Sequence, residues 1–174
     1  SGVDAENDPT SVQMAWLLNG AVSGRGGYYE GERNAKGEWE GFGKYCFTDG
    51  SIYEGEWRAN QQHGHGTFLY ASGNRYVGQW RAGKKDGKGT FGFADGRVEV
   101  GTYMADNDVG EGAMWSADRR TAWRIVDDGL EVGEISLDEA EQIAGRIGEP
   151  GPCIGDWVGA RRLSIEARCT EATE

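Results

Sequence analysis

The sequence predicts an all-β repeat fold, in which short hairpins form a single-layer antiparallel β-meander that ends in a short C-terminal capping helix. Three observations predict this fold. Glycines recur at a fixed period, aromatic residues and glycines occupy alternate positions, and the chain combines 30 glycines and seven residues each of Trp and Tyr with only three prolines. Many glycines together with many large rings are typical of short strands, tight turns and rings packed over bare backbone.

The period is carried by a glycine in the middle of each aromatic segment. This glycine is found at Gly31, Gly55, Gly78 and Gly101, with spacings of 24, 23 and 23 residues. Each unit continues to a second glycine pair of the form Gly-x-Gly, and an aromatic residue or Met follows it. These following residues are Tyr45, Phe68, Phe91 and Met114, and two positions later stand Phe47, Tyr70, Phe93 and Ser116. A repeat of this length indicates one supersecondary unit that is stable only when it stacks on its neighbours.

Side-chain parity indicates that each unit consists of strands. Alternate residues of a strand share one face, so Tyr53, Gly55 and Trp57 point the same way. The glycine leaves a flat area that a ring from the next strand can cover. Short turns such as Asp49-Gly50 and Asp95-Gly96 favour hairpins. The period of two excludes a helix between Tyr29 and Gly112 and predicts about two strands per unit.

The flanking segments divide the chain into four parts. Residues 1–12 are acidic and polar, which is typical of a disordered N-terminus. Residues 13–135 form the repeat sheet with its terminal caps, with clear repeats over 29–112, and Leu130 to Ile135 complete one more hairpin. Residues 136–148 form the capping helix, because Ser136 and Glu139 make a capping box. Residues 149–174 form a linker and an apolar tail.

The motif Tyr-x-Gly-x-Trp, followed by Gly-x-Gly at a 23-residue period, resembles the MORN (membrane occupation and recognition nexus) repeat. Every position of the motif is filled in the two units that begin at Tyr53 and Tyr76, whereas the first unit has Arg33 in the Trp position and the fourth has Glu99 in the Tyr position. The resemblance implies an elongated, twisted single sheet with an aromatic-lined groove.

The resemblance implies an interaction role without catalysis, and no cofactor is expected. MORN proteins similar to retinophilin grip a motor-protein tail, and others organise the cytoskeleton. We therefore expect a non-catalytic scaffold that binds a protein or peptide segment along the groove. The alternative is a regulatory or membrane-tethering module of a larger enzyme or junctional protein. The rings expected to bind the partner are Tyr29, Tyr53, Trp57, Phe68, Tyr76, Trp80, Phe91 and Tyr103.

The composition limits the other partners. The formal net charge of −11 opposes binding to nucleic acid and makes a membrane an unfavourable partner. Residues 75–97 hold six basic and two acidic residues and provide a candidate phosphoinositide headgroup site, formed by Arg81, Lys84, Lys85 and Lys88. The apolar tail, which contains Trp157, could instead fill the groove of its own chain or of a second copy in a homodimer.

Cysteines and histidines provide little evidence for other chemistry. The three cysteines, Cys46, Cys153 and Cys169, are odd in number and lack a CxxC spacing, so we expect free thiols and a cytoplasmic location. The resemblance to MORN proteins that organise the cytoskeleton implies an association with the cytoskeleton. His63 and His65 could share one strand face, but no third metal ligand accompanies them, and no metal site is expected. Glutamates at matching repeat positions (Glu30, Glu32, Glu54, Glu56) are expected to be solvated charges and not catalytic acids.

Overall fold

The computed structural model describes residues 21–22 and 27–148, which form one antiparallel sheet and one helix. Eleven strands lie in chain order, so each strand pairs with its sequence neighbours. This confirms the predicted all-β meander with a short C-terminal helix. The strands are β1 (Ala21–Val22), β2 (Tyr28–Arg33), β3 (Trp39–Cys46), β4 (Ile52–Arg58), β5 (Gln61–Leu69), β6 (Arg75–Arg81), β7 (Lys84–Gly92), β8 (Val98–Met104), β9 (Asn107–Trp115), β10 (Ala122–Val126) and β11 (Leu130–Ile135).

Two kinds of turn connect the strands, and they alternate along the chain. One is the short Gly turn, in which Gly50 has a φ of +86° that only glycine adopts without strain. The other is a two-residue turn such as Ala59-Asn60, with φ values of +48° and +66°. The side chain of Asn60 also accepts a hydrogen bond of 2.9 Å from the amide of Trp39, so this turn fastens one hairpin to the one before it.

The sheet has two different faces, set by the alternation of the strands. The ring face carries Tyr53, Gly55 and Trp57 of β4 and their counterparts in the other repeats. The back face carries the intervening residues, such as Ile52 and Glu54. Tyrosines and tryptophans form one hydrophobic cluster on the ring face, and a second cluster lies on the back face at the C-terminal end of the array.

The helix α1 (Leu137–Ile147) forms the second cluster together with the last strands. Ile143 and Ala144 are buried against Val100 and Trp115, which lie on the back face of β8 and β9. Ser136 is the N-cap, as the sequence predicts, and its hydroxyl accepts a hydrogen bond of 3.1 Å from the amide of Glu139. Glu111 of β9 also binds Arg146 of the helix at 2.6 Å. The helix therefore covers the back face of the last strands and leaves the ring face open.

The structure confirms the predicted terminal hairpin but contradicts the prediction for one cysteine. Strands β10 and β11 form the predicted hairpin before the helix. Cys46 is disulfide-bonded, so the expectation of a free thiol at this position is wrong. Sequence spacing could not reveal this bond, because a disulfide depends on which cysteines the fold brings together. The other two cysteines, the acidic segment 1–12 and the tail 149–174 lie outside the described residues.

Candidate functional site: the aromatic face of the sheet

A row of glycines crosses the sheet on the ring face. Seven glycines on seven consecutive strands pair in register, and these are Gly31, Gly43, Gly55, Gly66, Gly78, Gly89 and Gly101. Tyrosine rings lie flat on this row. A Cβ atom added at Gly66 would lie 2.3 Å from the hydroxyl of Tyr53, so no larger residue fits there without movement of the ring. The glycines of the motif therefore leave room for the tyrosine rings.

The tyrosines that cover this row are entirely buried and hydrogen-bonded. Tyr29, Tyr53 and Tyr76 each have 0% exposure. Each hydroxyl donates a hydrogen bond to the backbone carbonyl three residues ahead, at distances of 2.8, 3.0 and 3.1 Å. Burial raises the pKa of Tyr29 to about 12, so the phenol remains a neutral donor. These side chains hold the sheet together and offer no surface to a partner.

The tryptophans join successive hairpins. The indole nitrogen of Trp57 donates to the carbonyl of Gly43 at 2.9 Å, and that of Trp80 donates to the carbonyl of Gly66 at 3.2 Å. Both indoles meet a tyrosine of their own strand edge to face, with ring centroids 5.0 and 5.3 Å apart. Their exposure is only 4% and 6%, so a partner would reach their edges at most.

The accessible part of the ring face is a continuous strip of half-buried rings, which we call the aromatic strip. Its members are Phe47, Phe68, Tyr70, Phe91 and Phe93. Phe47 contacts Phe68 at a centroid distance of 5.4 Å, and Phe68 contacts Tyr70 at 4.4 Å. The strip continues from Tyr70 to Phe91 at 5.9 Å and then to Phe93 at 4.9 Å. This surface runs across several repeats, as a binding site for an extended segment would.

The predicted partner-binding residues divide into two groups in the structure. Tyr29, Tyr53, Trp57, Tyr76, Trp80 and Tyr103 are at most 6% exposed and form the floor of the ring face. Phe68 and Phe91 belong to the aromatic strip. Sequence reasoning omitted the other three members of the strip and also Trp39, which stacks on Tyr29 at 4.4 Å. The signal was present, because Phe47, Tyr70 and Phe93 share a face with the ring two positions earlier.

The fourth repeat replaces the buried tyrosine by a carboxyl group. Glu99 is 6% exposed, and the hydroxyl of Tyr103 donates a hydrogen bond of 3.0 Å to its Oε1. Burial and the neighbouring charge of Asp108 raise the pKa of Glu99 to about 7. Burial and the two carboxyl groups raise the pKa of Tyr103 as well. The sequence showed this exchange of residues but not the burial of the acid.

The four residues of the predicted headgroup site are divided between the two faces of the sheet. Lys85 lies on the ring face, where its Nζ is 4.4 Å from the ring centroid of Tyr103. Arg81 forms an ion pair of 2.6 Å with Asp86. Lys88 lies on the back face near the end of α1, where a Cβ added at Gly148 would be 3.0 Å from its Nζ. Lys84 is exposed beside Arg81. The fold does not gather these charges into one pocket.

Glu and Gln side chains at matching positions of the repeats stabilise irregularities of the strands. Oε1 of Glu56 accepts a hydrogen bond of 2.8 Å from the amide of His65, where β5 departs from regular pairing. Gln79 does the same for the amide of Lys88 at 2.8 Å, and Glu32 for that of Phe42 at 3.2 Å. His63 and His65 pair with residues on different strands, Glu56 and Gln79. Glu32, Glu56 and Gln79 therefore have structural roles in the repeat.

Comparison with known proteins identifies the repeat. Residues 35–52, 53–75 and 76–96 match the family model of the MORN repeat. No curated protein matches the chain in sequence. Among solved structures, the chain is similar to the SAS-4 (dCPAP) TCP domain of Drosophila melanogaster, solved in complex with a proline-rich motif of Ana2 (dSTIL). That alignment has 12% identity and covers 64% of this chain and 80% of the other, and its TM-score of 0.23 supports no further argument.

Proposed function

The chain is a MORN-repeat protein, with three repeats matched over residues 35–96, and we propose that it binds a partner protein or peptide along its aromatic strip. One observation carries this proposal. Among the described residues, α1 packs on β8, β9 and β10 from the back face, and no second layer covers the rings of β3 to β7. Five half-buried rings therefore remain in contact with solvent in one continuous surface.

The chemistry of the strip suits a protein segment. Aromatic side chains bury a large area and have few rotatable bonds, which makes them efficient anchors at interfaces. The floor below them is rigid, because the tyrosines and tryptophans are fixed by hydrogen bonds to the backbone. A rigid apolar surface loses little conformational entropy on binding. MORN repeats are in general non-catalytic modules, which agrees with a role in interaction.

The test requires variants that alter the strip and leave the floor intact. Trp57 and Trp80 are unsuitable, because truncation of a buried Trp costs about 3–5 kcal/mol of stability. We suggest Phe68→Ala, Tyr70→Ala and Phe91→Ala, alone and combined. Phe42→Ala is the matched control, because Phe42 is 55% exposed and lies on the back face opposite Glu56. A displayed library of linear peptides, selected on the wild-type protein, provides the probe.

The result is read from the dissociation constants of the selected peptides. Loss of one anchoring ring costs at least about 1–2 kcal/mol, so the single strip variants should weaken binding roughly tenfold. Phe42→Ala should bind as the wild type does. The proposal fails if the selected peptides bind strip and control variants equally, or if the library contains no ligand that the combined variant rejects. Thermal unfolding of each variant verifies that the sheet is intact.

The alternative function, a phosphoinositide-binding or tethering module, has less support. Its four basic residues lie on two faces of the sheet, and one of them is paired with Asp86. No helix among the described residues is long and apolar enough to cross a membrane. Self-docking of residues 149–174 and homodimer formation remain predictions. A chain that ends at Gly148 would bind the selected peptides more tightly if its own tail competes for the strip.

A further inference from the structure

One position on the ring face carries a charge-bearing side chain where the other repeats carry rings. From β2 to β10, a row of side chains pairs in register across the sheet. Its members are Tyr29, Tyr45, Tyr53, Phe68, Tyr76, Phe91, Glu99, Met114 and Trp123. Glu99 is the one carboxyl group in this described row, and it is 94% buried. A buried carboxylate is unfavourable unless a proton or a partner neutralises it.

A second carboxyl group lies near Glu99, and the surroundings provide too few hydrogen-bond donors for the oxygens of both groups. Asp108 lies opposite Tyr103 across β8 and β9, on the same face as Glu99. It is near enough that its charge raises the pKa of Glu99. The hydroxyl of Tyr103 is already used for Oε1 of Glu99. Oδ1 of Asp108 is buried and has no hydrogen-bond donor among the described residues. Two carboxyl groups in contact form a hydrogen bond only when one of them is protonated.

We propose that Glu99 and Asp108 share one proton, and that this carboxyl pair is a pH-sensitive switch which fastens β8 to β9 at the ring face. When the proton is present, it bridges the two groups, and the site carries one negative charge. When the proton is lost, two negative charges lie close together, one of them on the buried Glu99, and the pairing of the fourth repeat is weakened. The inference is independent of the proposed partner binding.

The other charges around the pair do not replace the proton. Lys85 of β7 faces Glu99 and partly offsets its charge, but its Nζ lies over the rings of Tyr76, Phe91 and Tyr103 at 4.4–5.5 Å. Arg97, which immediately precedes β8, forms an ion pair of 2.9 Å with Asp95. The charges of α1 lie at the back face, where Arg146 binds Glu111. Tyr103 stays neutral, because its pKa is raised.

The sign of the pH effect follows from the raised pKa of Glu99. Its value of about 7 in the folded protein exceeds the ordinary value of 4.5, so folding favours the protonated form. The stabilisation is fully present below pH 4.5 and is lost as the pH rises through about 7. The equilibrium constant for unfolding should therefore rise by roughly tenfold or more between pH 5 and pH 8.

The test is urea unfolding of the full chain at a series of pH values, with matched variants. Glu99→Gln keeps the acceptor for Tyr103 and adds an amide donor for Asp108, so it imitates the protonated acid without titrating. Between pH 5 and pH 8, we expect the unfolding constant of the wild type to rise by a factor roughly ten times larger than that of Glu99→Gln. The control Glu131→Gln removes an exposed carboxyl group of β11 and should retain the wild-type pH dependence.

A second measurement tests the shared proton even if Glu99→Gln does not fold. Carbon-13 labelling of the glutamate carboxyl groups allows the titration of Glu99 to be followed by NMR in the wild-type protein. A midpoint well above the ordinary value of 4.5 supports the shared proton. A midpoint at that ordinary value overturns the proposal. It is also overturned if Glu99→Gln folds and retains the pH dependence of the wild type.

Discussion

Each tyrosine of the repeat depends on a glycine that belongs to the next strand. Tyr53 lies over Gly66, and Tyr76 lies over Gly89, with the hydroxyl 2.3–2.4 Å from where a Cβ would stand. The hydroxyl then reaches a carbonyl of its own strand, so no buried donor is left unsatisfied. The glycine is thus required by packing, although its backbone is ordinary strand at both positions.

Substitution of one of these glycines provides a direct test of that packing. In Gly66→Ala, the new methyl group meets Cζ of Tyr53 at 2.5 Å, and the ring or the backbone must shift. We expect a loss of about 1–3 kcal/mol in the free energy of unfolding, measured in urea. Gly133→Ala is the control, because a Cβ at Gly133 of β11 meets nothing within 4 Å. The control should lose no stability relative to the wild type, and equal losses in both variants would refute the packing argument.

The sequence predicted which residues share the ring face but not how deeply each one is buried. Parity alone places Tyr53, Trp57 and Phe68 on one face, and the structure confirms that arrangement. Parity cannot show that Tyr53 has no exposure whereas Phe68 remains half-buried. That difference depends on the position of each ring relative to the glycine row, which is a property of strand register. Parity places Phe47, Tyr70 and Phe93 on this face as well, but it could not show that these rings are the accessible ones.

Local sequence signals were most informative for the elements with capping or turn chemistry. The helix from Leu137 to Ile147 was predicted from its capping box, and Gly148 ends it in a left-handed conformation. The strands were predicted from period and parity. The sequence did not show that α1 covers the back face, because that placement depends on contacts with Val100 and Trp115 on distant strands.

The contribution of the helix to stability can be tested with one substitution that should destabilise it and one that should stabilise it. Ser136→Ala removes the side chain that accepts the amide hydrogen of Glu139, and it should cost about 1 kcal/mol. Gly145→Ala adds a methyl group on an exposed face where nothing lies within 4 Å, and it should stabilise by about 0.5–1 kcal/mol. Urea unfolding of the two variants measures both values. If neither change affects the global transition, α1 unfolds separately from the sheet.

The bond at Cys46 can be verified on the protein purified without reductant. Alkylation in denaturant should leave Cys46 unmodified before reduction and modify it afterwards, because a disulfide sulfur does not react with iodoacetamide. Peptide mapping by mass spectrometry measures this and identifies whether Cys153 or Cys169 is joined to it. Alkylated Cys46 in the unreduced sample would contradict the disulfide. The same sample, fully reduced, is the positive control for accessibility.

At the scale of the whole molecule, the array forms one sheet. Its middle repeats make the same contacts, whereas the first and fourth repeats differ from them. The first repeat uses Arg33 and Trp39 where the middle repeats use a Trp and a polar residue. The fourth repeat uses Glu99 and Tyr103, and α1 supports its back face. Stacked repeats are stabilised mainly by their neighbours, so atypical terminal units serve to close the array. The proton-sensitive pair belongs to such a terminal unit.

The last prediction concerns membranes and depends on the distribution of charge over the molecule. Each basic residue that faces an anionic bilayer contributes about 1 kcal/mol. On the back face, Arg81 is paired with Asp86, which leaves Lys84 and Lys88 and a gain of only about 2 kcal/mol. The net charge of −11 opposes that gain. We therefore expect no co-sedimentation with vesicles that contain phosphatidylinositol bisphosphate at physiological salt. The variant Lys84→Glu/Lys85→Glu should behave like the wild type. Salt-sensitive binding of the wild type that this variant abolishes would show that these lysines form a headgroup site.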